Sequence, residues 1–439
     1  MRKIRKAFAL IVTIVMVLSL AACATDNNGR DGTEGGATPE VANEGGKTMT
    51  VLLAEEPGSE DSFGLALKAW EADTGNTAEI MVISYDDQLT KFPAMAKNND
   101  LPDLIATTRL HQLYPEEFID MNSVMDTSIF NESALNIVGK DYVSDKITGL
   151  PLQFTTTSMF YNIDAFDKAG LIAPTIDKPW SIDELYANSK ILQDKGGVKY
   201  GLAADVSRAR YDILMYANGG SLVEKDKDTF KVSVNSAKNV ATLEKFIKAN
   251  IDGVMPQAIW AGGTTDNPAD YFKNGDVGIL LSGSWNYNSF ITDITNFKFG
   301  TMPTLKGEVS SAAIIGGSAL AVPEHAKNKD LAVSFLEWLY TKENFQSYLN
   351  NDKGLSALSQ LVYEPADEKA AADFAVLQSE VSAVTDTFIV DESSAWRNFK
   401  DNEYRDYIKR AVSGEMTAKE ALDTFANELA ESSGWKIAK

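Results

Sequence analysis

The sequence predicts an α/β protein built from two lobes. Short apolar runs, which suit buried strands, alternate with stretches whose apolar residues recur at helical spacing. The predicted order is strand 48–54, helix 62–73, strand 77–84, helix 87–97 and strand 103–107. Strands that alternate with helices of these lengths are typical of a parallel sheet. The 439 residues also exceed one typical hydrophobic core, which favours two domains or lobes.

The first 22 residues have the parts of a secretory signal peptide. Four basic residues precede an apolar run over residues 7–20, which is too short for a membrane span of roughly 20 residues. Cys23 is the only cysteine, so no intramolecular disulfide can form. Leu20-Ala21-Ala22-Cys23 resembles a bacterial lipobox, which implies that Cys23 becomes the lipid-modified first residue. The alternative is a soluble secreted protein with a cysteine near its cleavage site.

Composition also predicts a tether and excludes some partners. Residues 23–47 are rich in Gly, Asn, Asp and Glu and nearly free of large apolar side chains, which is typical of a flexible linker. The chain has 41 Lys and Arg against 62 Asp and Glu, a net charge of −21. This charge argues against nucleic acid or an anionic lipid surface as the main partner.

The later part of the chain continues the alternation. Ser181 and Glu184 form a predicted capping box at a helix start, and Thr417 and Glu420 form another. The other predicted elements are strand 198–203, helix 236–250, strand 277–282 and helix 327–340. The C-terminal part is predicted to be helical.

One segment, residues 149–171 (GLPLQFTTTSMFYNIDAFDKAGL), combines an extended run with a short helix. Residues 152–162 are rich in Thr, Phe and Tyr, which fit a partly buried pleated surface. Gly170 ends the predicted helix 164–169. Pro151 suits the start of an extended segment but not the middle of a central strand. The segment either passes from one globular unit to another or forms a strand, turn and helix within one domain.

The same segment resembles the signature of the family 1 extracellular solute-binding proteins, the sugar-binding subunits of ABC importers. Residues 48–107, 179–184 and 272–285 resemble further blocks of that family, and the likeness extends over most of residues 48–430. It implies an α/β, periplasmic-binding-protein-like type II fold, in which two lobes are joined by hinge strands. The implied crossings lie at residues 149–171, 300–305 and 351–357.

The resemblance also implies a division of the chain. The signal peptide would occupy residues 1–22 and the tether residues 23–47. The first lobe would consist of residues 48–153 and 304–354. The second lobe would consist of residues 154–303 and the helical 355–439.

Candidate ligand contacts follow first from the predicted strand order. In parallel sheets, ligands bind beyond the carboxyl ends of the strands. The loops that follow the first three predicted strands contain Glu55-Glu56, Tyr85-Asp86 and Thr107-Thr108-Arg109. We expect these loops to lie together at one edge of the sheet.

The resemblance implies further contacts. Phe154 and Thr155 lie in the crossing segment, and Tyr211 and Asn218 lie in the second lobe. Trp285 follows a predicted strand and would stack on the apolar face of a sugar ring, although a core tryptophan is the alternative. Trp396 is either a second stacking platform or a packing residue of the last helices.

Two features separate the chain from maltose-binding relatives. Thr107-Thr108 stands where such relatives carry an aromatic residue, and Thr155 stands where they carry an acid. These differences leave the class of ligand intact but make a maltodextrin a poor expectation.

Several other functions lack their motifs. The two histidines, His111 and His325, are far apart and have no cysteine partner, so we expect no metal site. The sequence has no P-loop and no G-x-S-x-G elbow, and we expect no cofactor. A secreted glycosidase, a binder of a polyol or phosphodiester, and an adhesive lipoprotein remain as alternatives.

The resemblance implies partners and a location as well. The ligand would be a small carbohydrate and the protein partners would be the transmembrane subunits of an ABC permease. A monomer without catalytic activity is expected, anchored by lipid to the outer face of the cell membrane.

The lipid assignment has a direct test. Cys23→Ser removes the thiol that lipidation needs, so the variant is expected in the culture medium rather than in the membrane fraction. Fractionation followed by immunoblotting measures this distribution. Retention of the variant in the membrane would show that the anchor is not a lipid on Cys23.

Overall fold

The computed structural model describes residues 46–438, apart from residues 142, 143, 145, 265 and 308–311 and the side chain of residue 401. The signal peptide, Cys23 and nearly all of the tether lie outside the described residues. Lys47 still belongs to the folded body, because its carbonyl accepts from the Thr77 amide (2.9 Å).

The described elements alternate as an α/β protein should. The strands are β1 (Thr48–Leu53), β2 (Thr77–Val82), β3 (Leu104–Thr107), β4 (Leu150–Asn162), β5 (Tyr200–Ala204), β6 (Val223–Asp226), β7 (Thr229–Val232), β8 (Val277–Gly283), β9 (Phe299–Met302), β10 (Ile315–Ala321) and β11 (Lys436–Ile437). The helices are α1 (Ser62–Thr74), α2 (Tyr85–Lys97), α3 (Leu110–Leu113), α4 (Glu132–Ala134), α5 (Ile163–Ala169), α6 (Ile182–Ile191), α7 (Arg208–Ala217), α8 (Ala237–Ile251), α9 (Gln257–Trp260), α10 (Pro268–Lys273), α11 (Tyr287–Asp293), α12 (Lys329–Leu339), α13 (Lys342–Asp352), α14 (Glu368–Ser382), α15 (Asp386–Ser393), α16 (Arg397–Ser413) and α17 (Ala418–Ser433). Short 3₁₀ or π turns occur at Pro115–Glu117, Met121–Ser123, Thr127–Ile129, Leu135–Gly139, Leu192–Gly196 and Ser284–Asn286. Within the described part of the chain, no helix has both the length and the apolar character needed to cross a bilayer.

Eight of the described strands are connected in one path of hydrogen-bonded neighbours. The order is β2-β1-β3-β10-β4-β8-β5, and β9 also pairs with β4. The remaining strands form a small sheet, β11-β7-β6.

The first five predicted elements are confirmed to within two residues at each end, which is the usual uncertainty of element ends. β1 pairs in parallel with both β2 and β3, as the alternation predicts. Asp61 caps α1 by accepting from the Gly64 amide (2.7 Å). Gly75 ends α1 in the left-handed conformation (φ 71°) that suits glycine.

β4 is the strand that both halves of the structure share. Its residues 150–156 pair with β10, whereas residues 157–162 pair with β8 and β9. Pro151 lies inside this central strand, contrary to the sequence-based expectation. The pairing shifts register between Ser318 and Ala319 opposite Pro151, and such an irregularity accommodates a residue that has no amide hydrogen.

The other two crossings lie against the middle of β4. The Thr157 amide donates to the Ile314 carbonyl (2.9 Å), which fixes the stretch that leads from β9 to β10. Leu355, after α13, forms a β-bridge with Phe154. All three passages between the halves therefore meet within residues 154–157 of one strand.

Glycine is required where β10 approaches β4. Gly317 has φ 153°, and a Cβ atom there would lie 1.9 Å from the Gln153 carbonyl oxygen. A larger residue at position 317 would push the two strands apart.

The second half combines the β4, β5, β8 and β9 part of the large sheet with the C-terminal helices. β5 and β8 are parallel, and β9 runs antiparallel to β4. The buried Asp391 on α15 accepts from the amides of Leu222 and Val223 (both 3.0 Å) and from the Tyr216 hydroxyl (2.8 Å). Both predicted capping boxes, at Ser181 and Thr417, are present.

The exact lobe boundaries stay predictions. The Lys306 amide donates to the Trp180 carbonyl (2.9 Å), so the chain still contacts the second half just after the predicted boundary at residue 304. We propose that the first lobe resumes at Ile315, where β10 begins to pair with β4.

A buried acid anchors the second crossing. Glu380 on α14 accepts from the Thr304 amide (3.1 Å) and from the Thr304 hydroxyl. Burial raises the pKa of Glu380 to about 7, although both hydrogen bonds oppose the shift. The folded protein therefore holds the neutral acid up to a higher pH than the unfolded chain does.

This difference predicts a pH-dependent stability. Between pH 4.5 and 7 the unfolded chain loses the Glu380 proton first, so the free energy of unfolding falls as pH rises, by about 3 kcal/mol in total. Glu380→Gln keeps a neutral side chain and should remove the contribution of Glu380 to this fall, so the free energy of unfolding of the variant should fall less steeply with pH. Urea unfolding at pH 5 and pH 8 measures it, and Glu368→Gln, at the exposed start of the same helix, is the matched control. An unchanged slope in Glu380→Gln would contradict the buried neutral acid.

Candidate functional site

The three loops that the sequence predicts at one sheet edge follow the parallel strands β1, β2 and β3. They therefore lie at the same edge of the sheet. Glu55 follows β1, Tyr85 follows β2, and both Glu55 and Ser318 on β10 are near enough to Tyr85 to affect its pKa. Burial, assisted by the Glu55 carboxylate, raises the pKa of Tyr85 to about 12. Tyr85 nevertheless exposes 37% of its surface. A side chain that is surrounded by protein yet reachable by solvent lies in a concave surface.

A chain of polar groups continues from this edge to the first crossing. The Ser318 hydroxyl donates to Gln153 Oε1 (3.4 Å), and Gln153 Nε2 donates to Asp352 Oδ1 (3.3 Å). The Ser62 hydroxyl also donates to Asp352 (3.2 Å). Burial raises the pKa of Asp352, and these hydrogen bonds oppose the shift. The first lobe thus presents acceptors and donors that are already oriented.

The surface of β4 beside Gln153 is partly accessible to solvent. Thr155 lies two residues further along β4, and alternate residues of a strand point to the same face. Both side chains are partly exposed. Thr155 is paired with Gly316, whose missing side chain leaves no atom within 4 Å of a Cβ position.

Trp285 lies at the corresponding edge of the second half. β5 and β8 are parallel, so Asp205 and Trp285, which follow them, emerge at the same edge. The indole ring lies over Gly283, where a Cβ would come within 1.8 Å of the ring. Arg210 covers the ring at 4.5 Å from its centroid. Trp285 still exposes 42% of its surface, so the ring is available to a ligand.

A cavity of about 470 Å³ adjoins Trp285. This volume lies within the roughly 300–1,000 Å³ that is usual for small-molecule sites. Its lining combines one aromatic platform with two carboxylates, two amides, one hydroxyl and one ammonium group. The lining residues are Asp205, Val206, Ile259, Gly262, Thr264, Asp266, Asn267, Pro268, Trp285, Asn286 and Lys409.

Polar side chains connect the two halves at two places. At the first, Arg405 pairs with Asp86 (3.2 Å), Arg109 Nη2 donates to Asn402 (3.3 Å), and Arg397 Nη2 donates to Gln112 (3.3 Å). At the second, beside the crossing at Leu355, Lys353 Nζ donates to Asn288 (2.7 Å). Side chains of the two halves are therefore in direct contact.

Comparison with known proteins identifies the family. The sequence profile of the bacterial extracellular solute-binding proteins matches residues 56–344, which is more than half of the chain. The chain belongs to this family. The prediction from the 149–171 segment is thereby confirmed.

Individual relatives agree with this assignment. The galactooligosaccharide-binding protein of Bacillus subtilis is 22% identical over 97% of this chain and 97% of its own. The arabinooligosaccharide-binding protein of the same organism is 25% identical over 78% of this chain and 77% of its own. The ABC substrate-binding protein Lmo0181 of Listeria monocytogenes, solved in complex with cycloalternan, has a TM-score of 0.74 and 22% identity, and the match covers 89% of this chain and 100% of that one. The predicted type II fold, two lobes joined by hinge strands, is confirmed.

Four residues that were predicted to contact the ligand of this solute-binding protein contact other parts of the protein instead. Phe154 is buried on the face of β4 opposite to Thr155. Tyr211 is fully buried, and its ring meets Phe246 and Tyr404 edge-on. Neither ring is accessible to a ligand in this arrangement, so both predictions need correction to packing roles.

Asn218 and Trp396 need the same correction. Asn218 ends α7, away from the β5–β8 edge, and its amide donates to Lys238 and Thr242 (3.1 and 2.9 Å). Trp396 has no exposed surface, because Tyr404, Phe425 and Arg208 surround its ring. Trp396 is therefore the packing residue of the last helices that the sequence left as the alternative.

The remaining predicted residues differ in accessibility. Glu55 and Glu56 are exposed, and Thr108 is half-buried. Thr107 is buried and its hydroxyl accepts from the amides of Arg109 and Leu110 (3.3 and 3.1 Å), so it holds the loop rather than facing a ligand. Burial, then the nearby Arg397, lowers the pKa of Arg109 to about 9, which leaves it charged at neutral pH.

No group of three or more potential metal ligands occurs among the residues that the structure describes. His111 is buried, and its Nε2 lies 2.8 Å from the Val138 carbonyl. Burial lowers the pKa of His111 to about 4. This histidine packs at the start of β4 and does not line the cleft.

Sequence reasoning missed Gln153, Asp205 and Arg210. Gln153 is on the same face of β4 as Thr155, so the period of two was the available signal. Asp205 follows a short predicted strand and was open to the same rule that selected Glu55. No local sequence pattern marked Arg210, because it contacts Trp285, which is 75 positions away in the chain. Only the tertiary structure brings these two residues together.

Proposed function

We propose that this protein is the substrate-binding component of a carbohydrate ABC importer. It captures an uncharged oligosaccharide between its lobes, without chemical change, and delivers it to a permease. The half-exposed Trp285 ring beside a polar cavity carries the proposal. A sugar ring has one apolar face and a polar rim, so an aromatic platform with convergent polar groups suits it.

The charge of the lining favours a neutral ligand. Asp205 and Asp266 line the cavity with Lys409, and Glu55 lies at the edge of the first lobe. Carboxylates repel a phosphate or a uronate at close range. A phosphodiester, one alternative left by the sequence, fits this surface less well than a neutral sugar.

The names of the relatives point the same way. Two of them are described as binding galactooligosaccharides and arabinooligosaccharides, and the Listeria structure holds cycloalternan. Identity of 22–25% supports an oligosaccharide as the class of ligand and leaves the particular sugar to experiment.

Location and partners belong to the same proposal. A lipid on Cys23 and the tether of residues 23–47 would hold a monomer at the outer face of the membrane, within reach of the permease. Closure follows the ligand only to the extent that the ligand binds the closed arrangement better than the open one.

A two-step experiment tests the proposal. A thermal-shift screen over neutral mono- and oligosaccharides, with sugar phosphates and uronates beside them, finds a ligand, because native-state binding raises the melting temperature. Calorimetric titration of that ligand then compares Trp285→Ala with the wild type. Loss of the stacking platform should weaken binding by about 1–3 kcal/mol while the melting temperature without ligand changes little.

The control is Trp285→Phe, which keeps an aromatic face and should retain part of the affinity. Unchanged affinity in Trp285→Ala would remove Trp285 from the site. Stabilisation by anionic compounds alone, or release of product from the sugar, would contradict the proposed function.

A further inference from the structure

Trp285 presents its ring in an unusual way. The Arg210 guanidinium carbon lies 4.5 Å from the ring centroid, over one face. Arg210 itself is buried, with 7% of its surface exposed, although arginine side chains are mostly exposed in proteins. One face of the indole is therefore covered by a cation from the protein, and the exposed part of the ring is left to the other side.

We propose that Arg210 is a positioning residue that fixes the Trp285 ring and gives it a single ligand-facing side. The inference rests on the proposed function, since it names a second residue of the same sugar site. Arg210 would not contact the sugar. It would act through the ring, by holding the plane against which the sugar stacks.

A small network holds Arg210 in turn. Arg210 Nε lies 3.5 Å from Asp205 Oδ2, and the same carboxylate accepts from the Ser282 hydroxyl. Asn286 Nδ2 donates to Ser282 Oγ (2.7 Å), and Asn286 directly follows Trp285 in the chain. The carboxyl ends of β5 and β8, the cation and the backbone next to the ring thus form one connected unit.

The backbone limits the ring from another direction. A Cβ at Gly283 would lie 1.8 Å from a ring carbon, so the indole rests directly on the end of β8. The Gly283 backbone and the Arg210 guanidinium group together limit the movement of the ring. A platform that is already fixed loses less side-chain entropy on binding than a mobile one, and this favours affinity.

Arginine suits this role and lysine does not. The guanidinium group is planar and delocalised and stacks on an aromatic face, whereas the lysine ammonium is a compact, strongly hydrated charge. Arg210→Lys therefore keeps the charge opposite Asp205 and removes the planar group that lies over the ring. This makes it the informative variant, with Arg210→Met as a variant that also removes the charge.

The first measurement needs no ligand. Acrylamide quenching of tryptophan fluorescence in each protein, minus that of its Trp285→Ala counterpart, isolates the signal of Trp285. In Arg210→Lys and Arg210→Met this signal should be quenched more strongly than in the wild type, because the covered face becomes accessible. Equal quenching in all three proteins would overturn the proposal, whether or not any sugar binds.

The second measurement uses the sugar found by the thermal-shift screen. Calorimetry should show weaker binding by about tenfold in Arg210→Met and an intermediate loss in Arg210→Lys. In a Trp285→Ala background the same substitutions should change affinity less than about twofold, since the platform is already absent.

Two outcomes of this cycle would contradict the assignment. Equal losses in both backgrounds would mean that Arg210 acts on the sugar or on the fold independently of Trp285. No loss in either background would mean that the ring keeps its position without Arg210. If no sugar binds the wild type, the proposed function fails, and the quenching result still decides the role of Arg210.

Discussion

The structure depends on one strand that belongs to both lobes. β4 pairs with β10 along its first part and with β8 and β9 along its second part. The other two crossings contact Phe154 and Thr157 of the same strand. A pair of rigid lobes that share a single short region of backbone can change their relative orientation there without disturbing either core. The cleft and the path of closure both follow from this constraint.

The contacts between the lobes are too weak to fix their relative orientation by themselves. The Arg405–Asp86 pair is partly exposed, and such pairs contribute only about 0.2–1 kcal/mol. The other contacts between the lobes are hydrogen bonds between polar groups that water also satisfies when the lobes separate. A ligand that contacts Trp285 on one lobe and the polar chain of Gln153 and Asp352 on the other would add interactions that favour one relative orientation. Closure is therefore expected to depend on the ligand.

Much of the fold was predictable because local signals agree with it. The alternation of strands and helices fixes the parallel sheet, and Gly75 and the capping boxes fix helix ends. The position of Pro151 was not predictable, because its tolerance in a central strand depends on a register shift opposite β10, which is distant in sequence. A local pattern carries no information about such a partner.

The site was less predictable for a related reason. Trp285 and the loops at strand ends were found because topology alone places them at an edge. Tyr211 was predicted to contact the ligand, but it is its neighbour Arg210 that contacts Trp285. Adjacent positions on a helix point about 100° apart, so only one of the two can face the site. Trp396 has the residue type of a platform but is enclosed by Tyr404 and Phe425. Whether an aromatic side chain stacks on a ligand or fills a core is decided by packing that sequence patterns do not reveal.

The central claim, that two lobes close around a sugar by bending at β4, has one most direct test. Cysteines at the exposed Lys68 on α1 and Lys248 on α8, in a protein whose single Cys23 is replaced by serine, accept a donor and an acceptor dye. Single-molecule energy transfer then measures the distance between the lobes with and without the sugar found by the thermal-shift screen. The account predicts that the sugar shifts the population from a broad, open distribution to one narrow, closed state. A distance distribution that stays the same at saturating sugar would contradict it.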